Sequence, residues 1–232
     1  MTLLTIAQSV LKEAKNSSIP TTIIGNTQDV ATQILEVLKV SMVELGRSYD
    51  WQELQKEGTF TSAASTEGYN LPSDLDHFIN DTFWNTNEMW PVKGPMTPEE
   101  WRILKNSTIS GGASTEYFRI RASQLLLFPI PASAEDYVYE YITNKRILSS
   151  SGVGQSEWLA DTDVPAIDEY IVRLDATWRW LANNGRPYGE EQKTANNAIA
   201  ERVGRNGARR KVQHTVSNFD VKIGYPQLII NT

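Results

Sequence analysis

Apolar residues recur at helical spacing in four segments, two near each end of the chain. In residues 3–15 they stand at positions 4, 7, 11 and 14, and the second segment follows Asn26 or Thr27 as the expected cap. The apolar stripe of the second segment is Val30, Ile34, Leu38, Met42 and Leu45. This spacing predicts two amphipathic helices. Gly46 lies where a helix C-terminus favours a left-handed residue.

The other two helical segments come late in the chain. The third covers residues 163–184, with Asp163 as the expected cap and Pro165 in the first turn. Its apolar stripe is Ile167, Tyr170, Ile171, Leu174, Trp178 and Leu181. The fourth, at about residues 189–205, has a weaker apolar stripe, and the turn at 185–189 predicts that it runs antiparallel to the third.

Two neighbouring tryptophans of the third segment differ in their position relative to the apolar stripe. Trp178 lies on the stripe and Trp180 lies off it. We therefore expect Trp178 to be a core residue and Trp180 to be an interface residue.

Residues 57–145 show a different pattern. Four short runs alternate or are rich in β-branched and aromatic residues, which predicts strands at 57–62, 116–121, 124–129 and 136–142. A short helix from Thr97 interrupts them, with Glu100 as the second member of a capping box. The Ser- and Gly-rich stretch at 146–162 is interpreted as a linker.

These patterns predict an α+β fold that is mainly α. Its parts are a helical bundle of about four helices, an inserted β-rich region and an extended C-terminal tail. We assign residues 1–50 and 163–217 to the bundle, residues 51–162 to the insertion and residues 218–232 to a C-terminal docking arm.

Composition narrows the choice of function. Hydrophobic residues make up 40% of the 232 residues and charged residues 22%, as in ordinary globular proteins. The chain has no cysteine, which excludes disulfides, thiolate catalysis and Cys-based metal sites. A net charge of −6 argues against a general nucleic-acid-coating protein. No stretch is long and apolar enough to be a leader or a membrane span.

The stretch GYNLPSDLDHFIND, residues 68–81, concentrates polar side chains that could carry chemistry. Ser73, Asp74, Asp76 and His77 would have to converge for catalysis or metal binding, but carboxylates two apart do not share a helical face. We favour a structural interpretation, in which Pro72 ends a strand and Ser73 or Asp74 caps a short helix. Its apolar members would be Leu75, Phe78 and Ile79. We therefore predict no catalytic residue, no metal and no cofactor.

A basic region lies at residues 186–211, where seven Lys and Arg residues stand against three Glu residues. The residues at positions 202, 205 and 209 recur three and four apart, so one helical face would present them to phosphates or to carboxylates of a partner. A solvated helix end is the alternative. The candidate residues for a DNA channel or a subunit interface are Arg202, Arg205, Arg209, Arg210 and Lys211.

The run from Trp51 through the strand at 58–62 to Y-x-L-P-x-D at 69–74 resembles a pattern in tailed-bacteriophage adaptor proteins of the short-tailed type. These are also called tail tubular or head-to-tail connector proteins. The order of helices, β-rich insertion, helices and tail is similar over most of the chain. The resemblance implies a structural virion protein without enzymatic activity.

The same resemblance implies a set of partners and a location. Subunits would form a ring, probably of 12 copies, between the portal protein and the tail nozzle protein at the head-tail interface of the virion. The ring would extend the channel for packaged double-stranded DNA, without sequence specificity, for genome retention and ejection. Assembly would take place in the host cytoplasm.

The C-terminal tail is the predicted portal-docking element. Gly224 and Pro226 oppose a continuous helix, and C-terminal segments in the resembled family commonly reach the portal. The candidate docking residues are Phe219, Tyr225, Leu228, Ile229 and Ile230. A tail folded back on its own subunit is the alternative. The alternative function for the whole chain is a small helical nucleic-acid-binding or regulatory protein that uses residues 186–211.

Overall fold

The computed structural model describes residues 1–106 and 115–207, and helices are the main elements at both ends of this part. Helix α4 packs against α1, α2 and α5, so the late helices join the early ones. The five α-helices of the described part are α1 (Leu3–Glu13), α2 (Asp29–Ser48), α3 (Pro98–Asn106), α4 (Glu169–Asn183) and α5 (Gly189–Gly207).

Strands occupy most of the chain between α2 and α4. The strands in the described part are β1 (Gln55–Thr61), β2 (Gly68–Asn70), β3 (Leu75–Phe78), β4 (Trp84–Asn85), β5 (Trp90–Pro91), β6 (Tyr117–Arg121), β7 (Gln124–Phe128), β8 (Asp136–Thr143), β9 (Ile147–Leu148), β10 (Gly154–Gln155) and β11 (Val164–Pro165). They form three antiparallel sheets, in the orders β1-β8-β4-β5 with β3 also on β8, β2-β7-β6, and β10-β9-β11. The chain is therefore a mixed α+β protein, and the four predicted strands are confirmed.

Helices α1 and α2 confirm the two early apolar stripes. Ala7, Leu11, Ile34 and Leu38 are all buried. The start and end of α2 differ from the prediction. Gln28, not Asn26 or Thr27, is the N-cap of α2, and the helix continues to Ser48.

The predicted role of Gly46 as a left-handed C-terminal residue is wrong. Gly46 lies inside α2, and a Cβ atom there would stand 2.1 Å from Nε of Arg146. A side chain at position 46 would overlap with the arginine, so glycine is needed here for close approach.

The predicted start of the third helix is also wrong. Asp163 is buried, and its carboxylate accepts hydrogen bonds from the backbone N–H groups of Leu159 and Ala160, each at 2.8 Å. Pro165 belongs to β11. Helix α4 is capped instead by Asp168, whose carboxylate accepts a hydrogen bond from the N–H of Tyr170. An aspartate followed by proline predicts a cap, but here the aspartate organises the preceding turn.

The two tryptophans of α4 have exchanged the predicted roles. Trp180 is buried at 2% exposure, and Trp178 is half-buried. Helices α1, α2 and α5 all contact α4. The buried surface of α4 is therefore wider than the single apolar stripe that was predicted.

The short helix predicted after Pro72 is a strand. Leu75–Phe78 form β3, which pairs with β8. The carboxylate of Asp74 is not available as a cap, because side chains of the neighbouring strands bind it. Pairing with a long strand outweighs the local capping signal.

The predicted linker at 146–162 is packed against the helices. It contains β9 and β10, and Trp158 is buried in the core of the helical part. The carboxylate of Asp161 accepts hydrogen bonds from the N–H groups of Ile23 and Ile24. These contacts hold the segment in place, although its Ser and Gly content is typical of a linker.

Two hydrophobic cores stabilise the fold. The first lies among α1, α2 and α4 and also takes in Trp51 and Leu54 from the start of the β-rich region. The second takes most of its buried residues from β8 of the five-stranded sheet and from β6 and β7 of the β2-β7-β6 sheet, and it is mainly aromatic, with Phe83, Phe118 and Tyr139 among its members. Phe and Tyr rings supply large buried areas in a small volume.

Candidate interaction surfaces and a charged junction

Asp74 lies at the centre of a polar contact between strands. Its carboxylate binds Nζ of Lys56 at 2.7 Å and accepts hydrogen bonds from the hydroxyls of Thr143 and Tyr141 at 3.0 and 3.1 Å. Burial alone would raise the pKa of Asp74, but the hydrogen bonds from Lys56 and Thr143 outweigh it and lower the pKa. The carboxylate of Asp74 therefore has three donors, one on β1 and two on β8, and it links these two strands to the start of β3.

Asp76 and His77 are brought to the same side of β3 by a bulge. The register with β8 shifts between Leu75 and His77. A bulge reorients the side chains next to it. Nδ1 of His77 consequently lies 2.9 Å from a carboxylate oxygen of Asp76.

The pair is extended at both ends by residues outside β3. Nε2 of His77 lies 2.9 Å from the carboxylate of Asp50, which follows α2, and Nη2 of Arg146 lies 3.1 Å from Asp76. The four residues form a row of charged groups that we call the charged junction: Asp50, His77, Asp76 and Arg146. It connects the end of α2 to β3 and to the segment after β8.

The charged junction is strengthened by the position of Arg146. The side chain of this arginine is 10% exposed and crosses α2 at Gly46. Burial alone would raise the pKa of Asp76, but His77 and Arg146 outweigh it and lower the pKa. The carboxylate is therefore held in its charged form between two cationic groups.

The polar side chains of residues 68–81 make contacts between elements of the fold. Ser73 is exposed and has no part in either carboxylate contact. Asp74 and Asp76 bind separate sets of partners. Within residues 1–106 and 115–207, no group of three or more His, Asp or Glu side chains is arranged to hold a metal ion.

A second polar cluster lies at the opposite end of β8. The side-chain amide of Asn85 donates to the carboxylates of Glu116 and Glu135, at 2.9 and 2.5 Å. The hydroxyl of Tyr137 also donates to Glu135. Burial is the main cause that raises the pKa of Glu116, and the carboxylate of Glu135 adds to it. One oxygen of Glu116 is also buried without a hydrogen-bond partner among the described residues, which agrees with the raised pKa.

The predicted basic residues are only partly within the described residues. Arg202 forms an ion pair with Glu53, and Arg205 forms one with Glu201. The pair with Glu53 fixes α5 to the segment before β1. Three further basic candidates and the whole predicted docking arm lie outside the described residues: Arg209, Arg210, Lys211 and residues 218–232.

A partly apolar depression in the surface of the helical part lies between α2 and α4. It is a depression of about 250 Å³, which we call the α2/α4 depression, and it is lined by Glu36, Val37, Val40, Trp178, Arg179, Ala182 and Asn183. Val40 is 47% exposed, although it stands on a helix whose other face is fully buried. An exposed valine beside a tryptophan is typical of a contact surface.

Trp178 is held rigidly at the edge of the α2/α4 depression. Its indole N–H donates to the carboxylate of Asp175 at 2.9 Å, and the guanidinium of Arg179 lies over its ring at 4.5 Å. Arg179 also donates to Asp175, at 2.7 Å. The spacing of three and four residues from Asp175 is a sequence signal for this set. Nothing in the sequence indicated that Asp50 and Arg146 would join the same junction, since they are 96 positions apart.

Comparison of the sequence with models of protein families identifies the family of this chain. The model of the SU10 adaptor protein matches residues 1–217, and the chain therefore belongs to the SU10 adaptor protein family. Membership indicates a phage structural adaptor protein, which is incorporated into the virion and interacts with other phage head and tail proteins. The family is structural and generally non-enzymatic. The resemblance to phage adaptors is confirmed. No curated protein matches the chain.

The helices were also compared with the length and hydropathy that a membrane span requires. None of those in the described part of the chain is both long and apolar enough to cross a bilayer.

Proposed function

We propose that the chain is one subunit of an adaptor ring of 12 copies that joins the portal of a short-tailed phage to the tail nozzle. The ring extends the DNA channel and serves genome retention and ejection. In each subunit the helices of residues 1–50 and 163–217 form the bundle that builds the ring, and residues 51–162 form the β-rich insertion. Membership of the SU10 adaptor protein family supports this proposal.

The observation that carries the proposal is the α2/α4 depression. Tryptophan and arginine are enriched among the residues that contribute most of the binding energy between proteins. Trp178 and Arg179 are already fixed by Asp175, so little side-chain freedom is lost when a partner binds. The proposed occupant is a neighbouring copy of the chain, because a ring requires a repeated contact between identical subunits.

The ring contact is tested by placing a charge in the α2/α4 depression. Val40→Asp should give a folded chain that no longer forms rings, because a carboxylate would be buried without a partner at the contact. Ring formation is measured by native mass and by electron microscopy, with and without portal assemblies. Val153→Asp is the matched control, since Val153 is 63% exposed and lies in the turn between β9 and β10.

The Val40→Asp variant tests which surface forms the ring contact, and the wild-type chain tests whether a ring forms at all. Rings formed by Val40→Asp would contradict the choice of surface. A wild-type chain that forms no ring alone or on portals would contradict the adaptor ring itself.

The C-terminal arm is proposed to dock on the portal. Its apolar residues between Phe219 and Ile230 suit a groove or a sheet edge of a partner. Deletion of residues 219–232 should leave a folded subunit that does not join portal-bearing capsids. Normal joining of the truncated chain would contradict the arm.

The basic residues are proposed to face either the DNA channel or a neighbouring subunit. Reversal of Arg205 and Arg209 to Glu avoids Arg202, whose ion pair with Glu53 stabilises the subunit itself. Slower or leaking DNA ejection from intact rings would support the channel role. Failed ring assembly would support the interface role, and normal results in both assays would contradict the proposal. Family membership does not favour the alternative of a nucleic-acid-binding regulator.

A further inference from the structure

The two ring nitrogens of His77 face two different carboxylates. Nδ1 lies 2.9 Å from Asp76, and Nε2 lies 2.9 Å from Asp50. An ionised carboxylate has no proton to donate, and a neutral imidazole has only one N–H group. Both contacts are hydrogen bonds only when His77 carries two protons and a positive charge.

The protonation state of His77 determines the sequence of charges along the charged junction. With His77 protonated, the row from Asp50 to Arg146 alternates in sign. When His77 is neutral, one ring nitrogen presents a lone pair to a carboxylate, and the attraction on that side is lost. The protonated state is therefore the one that fits the observed positions.

The two carboxylates would not respond equally to loss of the proton. The side chain of Asp76 is 30% exposed and is also bound by Arg146. The side chain of Asp50 is 54% exposed, and within residues 1–106 and 115–207 its carboxylate has no hydrogen-bond or ion-pair partner apart from His77. Water can replace the histidine at Asp50 more readily than at Asp76, so the remaining N–H stays directed at Asp76.

The contact between Asp50 and His77 joins the helical part of the chain to the five-stranded sheet. Asp50 lies between α2 and the buried Trp51, whereas His77 lies on β3 of the five-stranded sheet. The contact therefore reaches from the end of the helical part to the sheet. Its loss removes a direct charged link between them.

We infer that the charged junction is a protonation-dependent latch, which links the end of α2 to the five-stranded sheet when His77 is charged and opens at Asp50 when His77 becomes neutral. This inference concerns the single subunit and does not depend on the proposed ring. The groups of the surrounding elements that face the latch are Asp50 after α2, Asp76 on β3, Arg146 after β8, and the neighbouring set of Asp74, Lys56 and Tyr141.

The direction of the pH dependence follows from the same contacts. Burial alone would lower the pKa of His77, but the hydrogen bonds with Asp76 and Asp50 outweigh it and raise the pKa above its ordinary value of 6.5. The stabilisation by the latch is complete below the pKa of the unfolded chain. It is lost as the pH rises through the higher pKa of the folded chain.

The first measurement is the titration of His77 in the full-length chain by NMR of the imidazole nitrogens. The signals are assigned with His77→Gln, because the sequence contains one other histidine. We expect His77 to keep two N–H groups above pH 6.5 in the wild type. In Asp50→Asn its titration should move towards the ordinary value, while the matched control Glu44→Gln, an exposed residue of α2, should titrate as the wild type does.

The second measurement follows the opening itself by hydrogen exchange. The backbone N–H groups of Trp51 and Leu54 donate to Tyr49 and Trp51, next to the latch. Their protection factors, relative to Leu38 in the middle of α2, should fall about two- to fivefold as His77 loses its proton, the size expected for a partly exposed ion pair. Asp50→Asn should abolish this fall and Glu44→Gln should keep it.

Three results would overturn the latch. The first is a His77 that titrates at or below its ordinary value in the wild type. The second is protection at Trp51 and Leu54 that does not change through the titration of His77. The third is a full pH dependence that persists in Asp50→Asn or disappears equally in Glu44→Gln.

Discussion

The core of the helical part and the core of the sheet part are built from different chemistry. Among the described residues, the helical core is aliphatic apart from Met42 and three tryptophans, and hydrocarbon packing supplies its stability. The sheet core is mainly Phe and Tyr, and the hydroxyls of Tyr137 and Tyr141 bind carboxylates. Burial raises the pKa of Tyr141 to about 12. Carboxylates are therefore bound directly to side chains of the sheet core, whereas the members of the helical core cluster are apolar.

The largest effect is expected in the helical core. Trp180→Ala removes a side chain that is 2% exposed and should lower the free energy of unfolding by about 3–5 kcal/mol. Trp178→Ala removes a half-buried ring and should cost less than half as much. Urea denaturation measures both, and the difference should be the same at pH 5 and pH 8. Equal losses for the two variants would contradict the observed exchange of roles.

The second prediction tests where the two regions meet. In Gly46→Ala the new Cβ atom would stand 2.1 Å from Arg146, and displacing the arginine should lower the free energy of unfolding by about 1–3 kcal/mol. Thermal unfolding at neutral pH measures the loss.

Gly204→Ala provides the control for this prediction. Gly204 also lies within a helix, but nothing stands within 4 Å of a Cβ atom there. Alanine has the higher helix propensity, so this variant should gain up to about 1 kcal/mol. If the Gly46→Ala chain is as stable as the wild type, the close packing of Arg146 against α2 at Gly46 does not contribute to stability.

The positions of the helices were predicted well from the sequence. The helix ends and the contacts of the charged junction were not. The stripes of α1 and α2 are strictly periodic, and burial follows that period. Asp163 and Pro165 form a clear capping signal, yet the carboxylate of Asp163 binds N–H groups of the preceding turn, and its backbone C=O accepts a hydrogen bond from the distant Leu3. Local signals do not contain the information about which distant partner a polar group will bind.

The same limit applies to residues 68–81. Their predicted function as the cap of a short helix was wrong, because the prediction used local signals alone. Asp74 and His77 bind residues at positions 56, 143 and 50, and the bulge in β3 is set by pairing with β8. Only the assembled sheet places these groups together.

The third prediction concerns the dependence of the sheet part on charge. Asp74→Asn keeps the size of the side chain but removes the attraction for Lys56, and should lower the free energy of unfolding by about 1–2 kcal/mol at pH 7. The lowered pKa of Asp74 means that its stabilisation is present above pH 3.8 and is lost as the pH falls through the folded pKa. The difference between the variant and the wild type should therefore shrink in acid. A difference that stays constant from pH 7 to pH 3 would show that charge is not the cause.

The smallest effect has the opposite sign. Glu116 is a carboxylate with a raised pKa, an unpartnered buried oxygen and a second carboxylate, Glu135, nearby. A raised pKa means that the folded chain holds the proton more tightly, so this site favours folding below the ordinary pKa of 4.5 and loses that contribution as the pH rises through the folded pKa.

Glu116→Gln should therefore stabilise the chain at pH 7, by about 0.5–1 kcal/mol, because the amide is uncharged and its N–H₂ group can donate to a neighbouring carboxylate. Chemical denaturation at pH 7 and pH 4 measures the gain, which should disappear at the lower pH. Glu57→Gln on β1 is the control, because Glu57 is exposed and is not one of the residues of this cluster. A Glu116→Gln chain that is less stable than the wild type at pH 7 would show that the ionised carboxylate is stabilising. The dependence of the sheet core on charge would then rest on Asp74 alone.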